Sequence, residues 1–88
     1  MDFRWNNWNL EHVAHHGVSI DEAEMVVTQA RPPFPEQRGG NKWAVWGRGL
    51  GGRFIQVVYV FDPDGTLYII HARLLTDVEK KRLRKRRR

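Results

Sequence analysis

Residues 42–73 read KWAVWGRGLGGRFIQVVYVFDPDGTLYIIHAR, and this stretch decides the fold. Apolar side chains recur there at every second position, the spacing of half-buried strands, and β-branched and aromatic residues dominate. Three strands are predicted, over residues 42–48, 53–61 and 66–73. The joins are short: Gly49 to Gly52, then Asp62-Pro63-Asp64-Gly65, where Pro presets φ and Gly supplies a left-handed corner. Connections this tight make the strands antiparallel neighbours. The middle strand is apolar on both alternations except at Gln56, which predicts a central position covered on both faces or nearly so. In the last strand, strict alternation puts Leu67, Ile69, His71 and Arg73 on one face and Tyr68, Ile70 and Ala72 on the other.

Upstream the period lengthens to that of helices. Asn6 or Asn7 caps a first helix whose apolar stripe is Leu10, Val13 and Ala14, and Gly17 ends it. Ser19 and Glu22 form a capping box, Ala23, Val26, Val27 and Ala30 make the inward face of a second helix, and Pro32 and Pro33 stop it. Residues 31–40, with three Pro and two Gly, read as an irregular or edge strand entering a loop. Thr76 and Glu79 repeat the capping box and open a third, basic helix. The expected architecture is α+β: two N-terminal helices on one face of a three- to four-stranded antiparallel sheet, followed by a basic C-terminal helix.

A chain of 88 residues has room for one domain, residues 1–88, and 41% hydrophobic content with four Trp and four Phe suffices for an ordered core. The absence of Cys excludes disulfides and thiolate zinc sites and suits a cytoplasmic protein. The opening MDFRWNNW has no charged n-region before an apolar run, and no eighteen apolar residues occur together, so neither a signal peptide nor a membrane span is expected. Charge is unevenly placed. Residues 1–75 hold seven Lys/Arg against eight Asp/Glu, whereas residues 76–88 hold eight Lys/Arg against Asp77 and Glu79. An excess concentrated in thirteen residues points to phosphate contact, since each neutralised phosphate releases condensed counterions. A frayed solubilising tail is the plainer alternative; an arm on anionic lipid lacks the apolar face it needs.

His71 and Arg73, two residues apart, suit a phosphate: Arg offers bidentate charge and His moves protons near neutral pH. They could equally bond to the carboxylates of the basic helix, Asp77 and Glu79. His12 and His16 lie four apart with His15 beside them, but a metal site needs a third ligand and no H-E-x-x-H pattern occurs. His12 with Trp8, one turn earlier, forms a packing pair, and His16 before Gly17 can cap the helix C-terminus. Lys42, Arg48 and Arg53 flank the strands and extend a basic track toward the third helix, and Arg53, Lys80, Lys81, Arg84 and Lys85 are the expected RNA-binding set. Trp43 and Trp46 fall on opposite faces, so at most one is core and the other is free to stack a base or meet a partner protein. No nucleotide loop, Ser or Cys nucleophile set, or flavin or nicotinamide fingerprint is present.

Taken in order, these segments resemble one family. The opening Phe3-Arg4-Trp5-Asn6, the run Asn9-Leu10-Glu11-His12-Val13-Ala14-His15-His16-Gly17-Val18-Ser19 and Glu22-Ala23 resemble the start of BrnT-type toxins. Trp43 to Gly47, Gly52-Arg53-Phe54-Ile55-Gln56-Val57-Val58-Tyr59, and Tyr68-Ile69-Ile70-His71-Ala72-Arg73 through Thr76 and Glu79 resemble the second half, the last matching an I-I-S-A-R-x-x-T-x-x-E signature. The resemblance implies a RelE-like fold and a growth-arresting endoribonuclease toxin of a bacterial type II toxin–antitoxin pair. Such toxins need no metal or other cofactor: the 2′-OH attacks the adjacent phosphate while side chains move protons and cations stabilise the oxyanion. The implied partners are an RNA substrate and an antitoxin encoded by an adjacent gene, with which the toxin forms a hetero-oligomer. Carried over, Arg73 is the phosphate clamp and His16 the histidine of a K-H-G motif. The chain departs from the pattern where Lys becomes His15, Ser becomes His71 and an E-R pair becomes Asn41-Lys42. His71 or His15 is then the expected general base, Lys42 keeps a cationic role, and Glu36 is a candidate for the missing carboxylate. The same departures fit a catalytically inactive module that only binds RNA, DNA or antitoxin.

Overall fold

A computed structural model of the chain describes residues 1–86; Arg87 and Arg88, the end of the expected basic arm, lie outside the described residues. The elements run β1 (Phe3–Arg4), α1 (Asn7–His15), α2 (Ile20–Thr28), β2 (Glu36–Gln37), β3 (Trp43–Arg48), β4 (Phe54–Phe61), β5 (Leu67–Leu74) and α3 (Asp77–Arg86). One sheet in the order β1-β5-β4-β3-β2 holds all five strands. β3, β4 and β5 are antiparallel neighbours with β4 at the centre, as their sequences predict. The expected three- to four-stranded antiparallel sheet is corrected to a five-stranded mixed one, because β1 runs parallel to β5 at one edge and β2 caps the other. Two-residue strands have no measurable period. β1 is instead fixed by remote partners: Leu67 N–H donates to the Asp2 carbonyl (2.9 Å), and Arg4 pairs with Asp62 in the β4–β5 turn (2.7 Å).

The faces also differ from strict alternation. Val58 pairs with His71 but Tyr59 pairs with Ile69, so Ile70 is the extra residue of a bulge. Beyond a bulge the side-chain parity reverses. Leu67, Ile69 and Ala72 therefore join Ile55, Val57 and Tyr59 on the buried face, and Tyr68, His71 and Arg73 share the other face with Gln56 and Val58. Gln56, the one polar residue of the central strand, accepts the Trp46 indole N–H (2.8 Å) and satisfies a donor that burial would otherwise orphan. Trp46 is the core member of its pair; Trp43, on the opposite face, is half-buried against the core.

α2 packs on β3 and β4 over the Ile55/Val57 face, and α1 lies along β5. Asn6 and Asn9 form a reciprocal capping box at the start of α1. Asn9 is also fully buried, and its amide donates to the Arg4 and Ile69 carbonyls (3.1 and 2.9 Å), tying the helix to β1 and β5. It takes the inward position one turn before Val13, whereas Leu10 of the expected stripe is half-buried and Ala14 is exposed. Gly17, at φ 74°, closes α1: its N–H reaches Ala14, the Val18 N–H reaches Val13, and both valines are buried. Ser19 caps α2 through the Glu22 N–H (3.1 Å), but the Glu22 carboxylate turns inward rather than completing the box.

α3 packs on the opposite face, which corrects the expectation of helices on one side only. Its inward positions are Glu79, Leu83 and Arg86, spaced by four and three. Glu79 bonds Arg73 of β5, Leu83 is 1% exposed, and Arg86 pairs with Glu36 of β2. Burying one leucine contributes about 2 kcal/mol, so the charged ends supply a large share of the helix's attachment. Among the described residues no helix is long and apolar enough to cross a membrane.

Candidate nucleic-acid interface

β3 ends at Arg48, opposite Phe54 where β4 begins, so the pair sits at the rim of the α3-covered face. The Arg48 guanidinium lies over the Phe54 ring, 4.9 Å from its centroid. Arg31, just beyond α2, and Lys81, Arg84 and Lys85 of α3 converge on the same place, and with Leu83 they enclose a groove of about 840 Å³. No carboxylate of the described residues lines it. Among the described residues none of these five cations enters an ion pair. Clustered cations raise each other's charging free energy, a cost relieved by an anion in the groove.

The expected cations divide between this groove and internal bonds. Lys81, Arg84 and Lys85 line it. Lys80 leans toward Asp77 (3.8 Å). Arg53 is committed to the buried Glu22 carboxylate and to the Gly17 carbonyl (2.9 Å). Arg31 was not anticipated at all: in sequence it is only the residue before the double proline, and its approach to α3 depends on the tertiary fold.

A second cluster lies on the same sheet face, toward the β5 edge. His71 and Arg73 point the same way, and the His16 ring meets His71 edge to face with centroids 5.2 Å apart. His15 packs against His16 in the same manner (5.3 Å). Burial pushes the His71 imidazole below its ordinary 6.5, and the nearby His16, Arg73 and His12 push it further the same way. His71 is therefore neutral at pH 7, the form that accepts a proton. Arg73 donates two parallel bonds to the Glu79 carboxylate (2.7 and 2.8 Å) and a third to the Leu74 carbonyl (3.0 Å). This pairing holds the Glu79 carboxyl at about 2. The Glu79 contact is the alternative that the sequence left open for Arg73.

Lys42 and Glu36 do not join this cluster. Lys42 is exposed just before β3, two strands from His71 and so about 10 Å away across the sheet. Glu36 lies on the far edge strand, bonded to Arg86 and Arg38. Trp8 and His12 stack with centroids 3.9 Å apart, but both remain exposed rather than forming the half-buried pair expected. Among the described residues no group of three or more His, Asp or Glu is placed to hold a metal ion. The arrangement offers a basic groove, a neutral imidazole beside a second imidazole, and an arginine already occupied by a carboxylate. Comparison of the chain with protein-family models, with curated proteins and with solved structures finds no match.

Proposed function

We propose that the chain is a RelE-like toxin of the BrnT type, the RNA-cleaving half of a bacterial type II toxin–antitoxin pair acting in the cytoplasm. The observation that carries this reading is the groove in which Arg31, Arg48, Lys81, Arg84 and Lys85 converge without a carboxylate among them. It suits a phosphodiester backbone, whose binding is driven by counterion release. The imidazole pair supplies chemistry. Neutral His71 takes the proton from a 2′-OH, the oxygen attacks the adjacent phosphorus, and His16 donates a proton to the departing 5′-oxygen. The products are a 2′,3′-cyclic phosphate and a free 5′-hydroxyl, with no net gain or loss of protons. Arg73 stabilises the oxyanion once phosphate oxygens replace Glu79 on its guanidinium.

A second reading, an RNA-binding module without catalysis, is favoured by the bidentate Arg73–Glu79 bond, which ties up the arginine that shares a strand face with His71. Incubating the purified protein with single-stranded RNA in EDTA separates the two. Cyclic-phosphate ends that disappear in His71→Ala, while affinity persists, support the nuclease. Intact RNA with normal binding supports the module. If R48A/R84A binds RNA as tightly as the wild type, the groove is not the RNA site and both readings fail. Co-expression with the product of the adjacent gene, followed by rescue of growth, tests the antitoxin.

A further inference from the structure

Beside the histidines, the exposed side of α1 and the start of β5 build a column of flat groups. The Arg4 guanidinium lies 3.9 Å from the centroid of the Tyr68 ring. Trp8 is nearly parallel to Tyr68 (23°, centroids 6.3 Å apart), and His12 stacks on Trp8 at 3.9 Å. A lone tryptophan on a helix surface is ordinarily just incomplete packing, but the other members of this column are held by hydrogen bonds. Arg4 makes two bonds to Asp62 (2.7 and 3.0 Å), the Tyr68 hydroxyl donates to Asn6 Oδ1 (3.1 Å), and His12 Nδ1 sits 3.1 Å from the Trp8 carbonyl. Trp8 nevertheless keeps 48% of its surface exposed. A rigid, half-open indole with its supports already ordered costs little entropy to use.

We infer that this column is a nucleobase subsite, in which an unpaired base of single-stranded RNA joins the Trp8–His12 stack next to the histidine pair. The inference rests on the RNA-binding function proposed above and adds to it where, and by what chemistry, the base is held. Three observations favour a base over a protein side chain. Trp8, His12 and His16 recur every four residues, about 6 Å per step along the helix, so the column runs toward His16, whose ring meets His71. His16, Arg73 and His12 surround His71, a basic setting that suits a phosphate, although Glu11 lines the pocket with His12, His15 and His16. The groove cations also lie on the face that carries Tyr68 and His71, so one strand can engage the groove and the column together. The Trp8 ring offers a π surface rather than a pattern of donors and acceptors, so stacking there tolerates all four bases.

The test uses full-length protein and a short 2′-O-methyl oligoribonucleotide, which lacks the attacking hydroxyl and stays intact. Binding is compared with that of heparin, a polyanion without bases. Trp8→Ala is expected to weaken RNA binding by roughly tenfold, with an unchanged salt slope and heparin affinity within about twofold. Trp8→Phe should restore most of the loss. Equal RNA affinity of W8A and wild type would overturn the subsite while leaving the RNA-binding function standing. So would a proportional loss of heparin binding, or a loss confined to complexes with the antitoxin, which would make the column a protein interface. Wild type that binds no RNA at moderate salt would sink the proposed function itself.

Discussion

Glu79→Gln isolates the charge of the α3 anchor with little change of shape. Glutamine preserves the capping box, since its amide oxygen still accepts the Thr76 N–H that Glu79 now takes at 2.9 Å. What it removes is the charge that accepts both Arg73 bonds. Folding takes the Glu79 carboxyl from 4.5 to about 2, an upper bound of about 3 kcal/mol at neutral pH. The side chains of the pair are 30% and 16% exposed, so solvent screening brings the expected contribution to ~1–2 kcal/mol. For a domain of this size that is a loss of about 5–10 °C in Tm. The sign is fixed by the direction of the shift: a carboxylate favoured by folding contributes fully above 4.5 and loses its contribution as pH falls toward 2. The difference in Tm between wild type and E79Q, followed by circular dichroism, should therefore be constant from about pH 8 to about pH 6 and shrink below about pH 4. The variant also frees Arg73, so RNA affinity should rise and the log–log salt slope should steepen by about 0.7. An E79Q protein as stable as wild type at pH 7, or a stability gap that stays open in acid, would refute the assignment of the anchor to this ion pair.

Other substitutions probe the parts that hold the site. Leu83→Ala removes the buried apolar contact of α3 and should cost about 3 kcal/mol in urea denaturation, with a matching loss of RNA affinity as the groove opens. Asn9→Ala removes an amide bonded to two strand carbonyls and should cost about 2–4 kcal/mol, read as a drop in denaturation midpoint at unchanged m-value. Gly49→Ala would place a Cβ 2.5 Å from Glu22 Oε2 and 2.7 Å from Ile55 Cδ1, so it should lower stability by about 1–3 kcal/mol although its φ of −90° suits alanine. If cleavage is confirmed, its rate should reach half-maximum at a pH below 6.5, because His71 loses its proton more readily than a free histidine.

Much of this fold is legible in the sequence because its long strands and helix caps are local features. The period of two over residues 42–73 needs only neighbours to be read, and the Asn6, Ser19 and Thr76 caps announce themselves within four residues. What escapes reading is nonlocal. β1 exists because Asp2 and Arg4 find Leu67 and Asp62, more than fifty residues away. The bulge at Ile70 leaves the composition of β5 unchanged yet reverses which face Leu67 and Ile69 occupy relative to His71. The side of the sheet chosen by α3 is equally silent, since Leu83 is the helix's only buried apolar residue. The site divides in the same way. Lys81, Arg84 and Lys85 are visible as a run of charge and Trp8–His12 as a pair four apart, whereas Arg31, Arg48 and Tyr68 acquire their partners only in three dimensions.

Net charge and available charge are different quantities in this chain. Arg4, Arg38, Arg53, Arg73, Lys80 and Arg86 each lie within reach of a carboxylate, and at these places the cation serves the fold. Arg53 neutralises the otherwise prohibitive burial of Glu22, whose other oxygen has no hydrogen-bond partner among the described residues. α3 shows how the two uses combine. Glu79 and Arg86 fasten its two ends to β5 and β2, and Leu83 fixes its rotation between them. With one side so held, Lys81, Arg84 and Lys85 are carried on a helix of set orientation rather than on a fraying tail, and they face Arg31 and Arg48 across the groove. Five like charges held together repel one another, a strain the folded state tolerates because the internal ion pairs hold the helix in place. An anion that relieves this repulsion gains affinity from charge already brought into position, so cutting the Arg86–Glu36 anchor should weaken binding even though that pair does not line the groove.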